Sequence, residues 1–391
     1  MSWEQVKLGD IFEIARGGSP RPIDQYITDD PNGLNWISIK DASNSSKYIY
    51  KTEKKIKPEG LHKTRLVHPN DFLLTNSMSF GRPYIMKTTG CIHDGWLVLS
   101  ADKTKVDTDY FYHLLGSDFM YRKFTGLAAG AVVKNLNTEL VKSVSVPLPP
   151  LAEQRRIASI LDQADELRQK RQQTIEKLDQ LLQATFIDMF GDPVSNPKGW
   201  EKDELQNICK QVIDCPHSTP TWSDKGIICL RTSNLGKGEW IWEDTRYVSS
   251  EEYKERTKRS EIFEGDIILS REGTVGIAAI VPNDLKLSLG QRLVQLTPRL
   301  DRINSEFLLQ VLLYDLDPIR ISSLMVGSTS KHINVKDLRA LKVFVPPLEL
   351  QRKFSLIALQ ISQQKIELKS SLSNVDNLFK SLQNQAFNGT L

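Results

Sequence analysis

The run Pro147-Leu148-Pro149-Pro150-Leu151-Ala152-Glu153-Gln154-Arg155-Arg156-Ile157 marks where one kind of structure stops and another starts. Paired prolines end a strand and suit the first turn of a helix, where the missing N–H has no partner to lose. From Leu151 to Phe190 there is neither proline nor glycine. Apolar residues recur there at helical spacing: Ile157, Ile160, Leu161, Ala164, Leu167, Ile175, Leu178, Leu181, Leu182 and Met189. Gly191-Asp192-Pro193 ends the pattern. A helix of this length reaches about 60 Å.

The same run returns 197 residues later as Pro346-Pro347-Leu348-Glu349-Leu350-Gln351-Arg352. It opens a second apolar stripe: Phe354, Ile357, Ile361, Leu368, Leu372, Val375, Leu378, Phe379 and Leu382. One spacing also links Trp3 to Trp200, Gly130 to Gly327, Lys134 to Lys331, Asn137 to Asn334 and Phe190 to Phe387. The chain therefore consists of two matching halves, with approximate two-fold symmetry expected. Neither helix hides its stripe alone in water. Burying each against the other, antiparallel, is the economical arrangement; in the competing one each helix covers its own globule.

Ahead of each helix lie short β-prone runs broken by Gly, Asn, Pro and Asp. Examples are Trp36-Ile37-Ser38-Ile39, Phe72-Leu73-Leu74, Ile267-Ile268-Leu269 and Leu293-Val294-Gln295-Leu296. Short helices are expected around 108–124 and 304–324. The predicted class is mixed α/β: two globular domains with bent β-sheets, separated by two long antiparallel helices forming a coiled coil. The boundaries read as 1–150, 151–190 (central helix), 191–199 (linker), 200–347 and 348–391 (C-terminal helix).

Bulk properties set limits. With 391 residues, two or three domains are expected. A 40% apolar and 25% charged composition is that of a globular protein, and a net charge of +3 permits nucleic-acid binding without demanding it. The first residues lack a basic stretch followed by an apolar run, so no secretory leader is expected, and without a membrane-length apolar run no membrane span is expected. Four cysteines, Cys91, Cys209, Cys215 and Cys229, do not fall at matching repeat positions. Reduced thiols and a cytoplasmic location are expected.

Signatures of catalysis are missing. There is no phosphate-cradling G-x-x-x-x-G-K-[ST] loop and no strand–G-x-G-x-x-G–helix unit. Leu follows each double proline, and the polar residue before and aromatic residue after that amino-methyltransferases use are absent. Cys209, Cys215, His217 and Cys229 have the wrong gaps for a metal site. No metal, no cofactor and no catalytic residue is assigned to this chain, which leaves binding as the leading option.

Polar and basic residues collect where strands end. In the first half these are Arg16, Ser19, Arg21, Lys40, Asn76, Ser77, Arg82, Lys134 and Asn135. In the second they are Thr219, Arg231, Ser233, Arg271, Glu272, Thr274, Arg292, Ser328, Lys331 and His332. Arg, Asn and Gln make paired hydrogen bonds to base edges, while Ser, Thr and Lys hold phosphates. Equivalent loops differ: Thr75-Asn76-Ser77-Met78-Ser79-Phe80-Gly81 stands opposite Ser270-Arg271-Glu272-Gly273-Thr274-Val275-Gly276. A shared framework with divergent loops suits two readers of different sequences. Basic clusters precede both strands: Lys51, Lys54, Lys55, Lys57, Lys63 and Arg65, then Lys254, Arg256, Lys258 and Arg259.

These residues resemble a known family. The 147–157 run, the helix ending in Met189-Phe190-Gly191-Asp192, its partner at 346–352 and Gly265–Gly276 look like the specificity subunit of type I restriction–modification enzymes. The likeness spans nearly the whole chain. It implies two target recognition domains, each reading one half of a split double-stranded DNA sequence. It implies that the paired helices set the half-site spacing and dock two methyltransferase (modification) subunits, with Gln154, Arg155, Gln351 and Arg352 as candidate contacts. S-adenosylmethionine, ATP and Mg are then expected in the partner subunits, which methylate adenine at N6, and restriction subunits join them. Two other readings stay open: a diverged self-contained nuclease or methyltransferase, and a coiled-coil adapter that binds protein. A close variant serves a system whose methyltransferase and nuclease are fused in one partner.

Overall fold

The computed structural model describes residues 3–76, 81–129, 136–316 and 332–391. Packing divides the chain into two units that cut across the boundaries read from sequence. One comprises Met1–Gln173 with Lys369–Leu391, the other Thr174–Leu368. The central helix (Leu151–Phe190) and the C-terminal helix (Leu348–Asn388) therefore each give one end to each unit.

In the first unit, one sheet runs in the order Phe12–Arg16, Trp96–Ala101, Phe72–Thr75, Pro83–Met86, Tyr48–Ile49. A second runs Ile27–Thr28, Lys54–Ile56, Leu34–Ile37, Gly90–Ile92, Arg65–Val67. The apolar runs follow from burial on both faces of the first sheet. Phe72 and Leu74 join the core under the helices, while Leu73 points the other way and packs with Ile37, Val67 and Ile92 of the second sheet. Leu97 and Leu99 alternate with Trp96 and Val98 in the same manner.

The second unit repeats this with fewer strands. Its first sheet runs Cys209–Asp214, Leu293–Pro298, Ile267–Ser270, Ala278–Ile280; its second runs Trp222–Ser223, Tyr247–Val248, Ile227–Leu230, Leu287–Leu289. Ile267 and Leu269 face the helical core, and Ile268 faces the second sheet. Each unit also has a two-stranded clip, Gln5–Lys7 with Ser145–Pro147 and Lys202–Glu204 with Lys342–Phe344. Gln5↔Pro147 and Lys202↔Phe344 are equivalent pairs at the 197-residue spacing. Curvature expected of a single bent sheet is thus divided between two sheets in each unit.

The long helices pair antiparallel within each unit. In the first, Arg168 Nε donates to Asp376 Oδ1 (2.5 Å) and Arg156 Nη2 to the Leu391 carbonyl (2.8 Å). In the second, Lys365 pairs with Asp179. Both arrangements weighed from sequence are present together. Ile157, Ala158 and Leu161 cover their own globule, and Phe379, Ala386 and Phe387 of the C-terminal helix enter the same core. Phe186 and Phe190 join Phe354 and Ala358 in the second core. Not every apolar residue in the stripes is buried. Leu167, Leu181 and Leu378 are 40%, 52% and 53% exposed, because a straight helix drifts away from a seven-residue repeat and cannot keep every such position on the seam.

One reading of the repeat needs correction. Gln154 and Gln351 are wholly buried and are not available to a partner. Gln154 Oε1 accepts from Asp107 N (2.8 Å), and its Nε2 donates to the carbonyls of Lys105 and Pro149 (both 2.8 Å). Gln351 Oε1 accepts from Asn304 N (2.8 Å), and its Nε2 donates to the carbonyls of Arg302 (3.2 Å) and Pro346 (2.7 Å). Asp107 and Asn304 cap the helices Thr108–Leu115 and Ser305–Asp315, so each glutamine pins its long helix to the start of a short one. Neighbouring Arg155 and Arg352 stay exposed.

All four cysteines are free and buried; burial pushes the Cys91 thiol up to about 11 and Cys209 up to about 12, so they are poor nucleophiles. No helix among the described residues is long and apolar enough to cross a membrane.

Candidate nucleic-acid interface

Three segments meet at one end of the first sheet. They are the close of strand Phe12–Arg16, residue 76 after Phe72–Thr75, and the turn His93-Asp94-Gly95 before Trp96–Ala101. The backbone fixes them: Gly17 N donates to Trp96 O (3.0 Å), Gly18 N to Ile92 O (3.1 Å), and Asn76 N to Gly95 O (3.1 Å). A Cβ on Gly17 would lie 2.2 Å from the His93 carbonyl oxygen, so no larger residue fits this close crossing.

Four residues expected from sequence converge on Asp94, which the sequence reading passed over. Ser19 Oγ donates to Asp94 Oδ1 (2.8 Å), and Arg21 Nη2 lies 3.7 Å from Oδ2. Arg16 Nε and Asn76 Nδ2 both donate to the Asp94 carbonyl (3.0 and 2.7 Å). The Ser19 hydroxyl holds the Asp94 carboxyl below its ordinary range, and burial lowers neighbouring His93. Arg65 Nε donates to the Arg16 carbonyl (3.1 Å) and joins the basic cluster to this site. Lys55 and Lys57 donate to the carbonyls of Pro31 and Gln25, and Lys63 to the Tyr26 hydroxyl, so these ammonium groups bond neutral acceptors. Lys40 is paired elsewhere, with Glu53 (2.8 Å), and Arg82 lies over the Tyr84 ring.

The second unit builds the same frame from different side chains. Cys215 N donates to Leu293 O (3.1 Å), Arg271 N to Arg292 O (3.0 Å), and Ile333 N to Arg271 O (2.9 Å). The corresponding bond in the first unit runs from Leu136 N to Asn76 O (2.9 Å). Here Arg271 Nε donates to Asp214 Oδ1 (3.0 Å) and Nη2 to Oδ2 (3.4 Å). His217 Nε2 lies 3.2 Å from Asp214 Oδ2, and Arg292 Nε 3.5 Å from Glu272 Oε1. Glu272 bridges to His332 in antiparallel fashion. Gly273 and Gly276 hold left-handed backbone, and a Cβ on Gly276 would sit 2.0 Å from Leu316 O.

Arg271, Glu272, Arg292 and His332 are therefore brought together, with His217 of the sequence-predicted 217–220 loop beside them and Asp214 added by the structure. Thr219, Ser233 and Thr274 are exposed, Ser233 within the 3-10 turn Thr232–Asn234, while Arg231 is paired with Asp244 Oδ2 (2.6 Å). Below the 215–219 loop, buried Arg256 donates to the carbonyls of Leu289 (2.7 Å) and Ser218 (3.3 Å) and so braces it. Ser77, Lys134, Asn135, Ser328 and Lys331 lie outside the described residues. Among the described residues no group of three or more His, Cys, Asp and Glu is placed to hold a metal ion.

Comparison with known proteins finds the same organisation. The profile of the family described as "Type I restriction modification DNA specificity domain" matches residues 1–177 and 197–375. The type I restriction enzyme MjaVIII specificity subunit of Methanocaldococcus jannaschii is 24% identical over 368 residues, covering 90% of this chain and 84% of that protein. The EcoBI specificity subunit of Escherichia coli is 22% identical over 424 residues, covering 100% of this chain and 86% of that protein. A chain solved in work on assembly and conformational transition of the type I R-M system has a TM-score of 0.59 at 19% identity, covering 100% of this chain and 98% of its own. The type I S subunit from M. genitalium has a TM-score of 0.56 at 17% identity, with 99% and 96% covered. These two likenesses concern the fold.

Proposed function

Because this chain belongs to the type I restriction modification DNA specificity family in both of its halves, we propose that it reads a bipartite double-stranded DNA target, one half-site per globule. One observation carries this reading. At the end of each first sheet, an equivalent backbone frame presents different hydrogen-bonding side chains: Arg16, Ser19, Asn76 and Asp94 in one unit, Asp214, Arg271, Glu272 and Arg292 in the other. A constant frame positions and variable donors and acceptors specify, which is the division of labour that base-edge recognition needs.

In this reading the chain is a recognition and scaffolding subunit with no chemistry of its own, working in the cytoplasm. Two modification subunits dock on it, bind S-adenosylmethionine and methylate adenine at N6. Restriction subunits bring ATP and Mg and the motor and nuclease activities. With Gln154 and Gln351 turned inward, exposed Arg155 and Arg352 are the remaining docking candidates from the repeated pair.

Methylome sequencing of cells expressing the chain with its modification partner tests the proposal. The expected result is one split motif with two unlike halves and a constant gap. A continuous motif, or none, would overturn it.

A further inference from the structure

The two strand-end frames, matched by their backbone bonds, carry different charge patterns. Arg16 and Asp214 are equivalent, since they pair with Leu97 and Val294 of matching strands. Asn76 and Arg271 are equivalent, since their N–H groups reach the carbonyls of Gly95 and Arg292. Each unit thus has two seats flanking the start of the strand between them. The first unit seats Arg and Asn; the second seats Asp and Arg. One guanidinium occupies each pair, on opposite sides.

In both units the guanidinium is held from its Nε side. Arg16 Nε is taken by the Asp94 carbonyl (3.0 Å). Arg271 Nε and Nη2 are taken by the Asp214 carboxylate (3.0 and 3.4 Å), and Nη1 takes part in neither bond. An arginine fixed in this way has lost its rotamer freedom before a ligand arrives, and its outer N–H groups keep one direction. The side chain of Arg271 is only 10% exposed.

Charge separates a base contact from a phosphate contact. Among the described residues, Asp214, Arg271, Glu272 and Arg292 set two anions against two cations, which offers a phosphate little net attraction. What it offers is directed donors. Phosphates are better met by the first unit's Lys55, Lys57 and Lys63, whose bonds go to neutral oxygens. The base edge that matches a fixed guanidinium is guanine, through O6 and N7 in the major groove.

We propose that Arg16 and Arg271 each read a guanine, one in each half-site, and that Asp214 is a positioning residue that aims Arg271. This rests on the reading that the globules bind DNA half-sites.

The test uses the full chain assembled with its modification partner and duplexes carrying the methylome-derived motif. Arg271→Lys and Arg271→Ala should each abolish preference for one guanine in one half-site, a loss of about 5- to 150-fold in discrimination, with the other half-site unchanged. Arg16→Lys should do the same in the opposite half-site. Asp214→Asn should relax the same guanine as Arg271→Lys while the slope of log affinity against log salt stays constant. Replacing that guanine with 7-deazaguanine should weaken the wild-type complex and have no further effect on Arg271→Ala. Thermal melting of each variant identifies any that fail to fold, and Arg271→Lys and Asp214→Asn are the conservative pair. Uniform weakening on every sequence with a reduced salt slope would mark Arg271 as a phosphate contact and overturn the assignment. So would a half-site without guanine. A wild-type complex lacking any sequence preference would instead overturn DNA reading itself, and this assignment with it.

Discussion

Gln154 and Gln351 each pin the start of a long helix to the start of a short one. Their recurrence was plain in the sequence, and a polar residue on a helix ordinarily faces water. The structure places both in the interior, each making three hydrogen bonds to main-chain groups near a helix cap. Spacing along a helix cannot distinguish a buried polar pin from an exposed contact when the groups it pins lie about fifty residues upstream. Gln154→Ala should cost about 3 kcal/mol, since the Asp107 N–H and two carbonyls lose a buried partner. A melting temperature equal to wild type would refute the pin. Asp94 is the opposite case. Nothing but an Asp-Gly turn signal marked it, yet four expected residues meet there.

At the scale of elements, the strands were legible and their grouping was not. Runs such as Phe72-Leu73-Leu74 announce burial on both faces, but alternate residues serve different cores. Which sheet a short strand joins depends on partners far away in the chain. The same holds for the network that ties the first globule to the central helix. Lys47 Nζ lies 2.7 Å from Asp109 Oδ1 and 2.9 Å from Asp162 Oδ1, and His113 Nε2 is 2.8 Å from Asp162 Oδ1. Burial opposes the Asp162 charge, but hydrogen bonds from His113 and Lys47 outweigh it and hold the carboxyl below its ordinary range. Burial likewise opposes the Lys47 charge, and bonds to Asp109 and Asp162 outweigh it, raising the amine.

The two shifts act at opposite ends of the pH scale. The Asp162 contribution is complete above the unfolded carboxyl value of about 4 and fades as pH falls through the lower folded value. The Lys47 contribution is complete below about 10 and fades as pH rises through the raised folded value. Melting followed between pH 7 and 3 should show a weaker acid dependence in Asp162→Asn than in wild type; identical slopes would remove Asp162 from the acid response. Lys47→Met should lose about 1–3 kcal/mol at neutral pH, a range discounted for the partial exposure of both carboxylates.

For the whole molecule, the central and C-terminal helices belong to both packing units, and the chain ends close the first one. Trp3 Nε1 donates to the Ala386 carbonyl (3.2 Å), while Trp200 Nε1 donates to the Phe190 carbonyl (2.8 Å). Each globule is thus entered by the end of one long helix and left by the start of the other. The family resemblance implies that helix length sets the spacing of the half-sites. Deleting seven residues from the middle of both helices keeps the seam in phase and shortens each by about 10 Å. The methylated gap should then shrink by about three base pairs, at 3.4 Å each. An unchanged gap in the methylome would rule out the ruler.

The two-fold repeat, both long helices, the mixed α/β class and the family are written in local spacing and in motifs that recur at a constant interval, and so were legible before folding. Packing alone turns Gln154 and Gln351 inward and gathers Arg16, Ser19, Arg21 and Asn76 around Asp94. Packing likewise sets Arg271 against Asp214. Such pairings join residues tens of positions apart. Their partners are chosen by which strand ends the sheet order brings side by side, and no local periodicity carries that information.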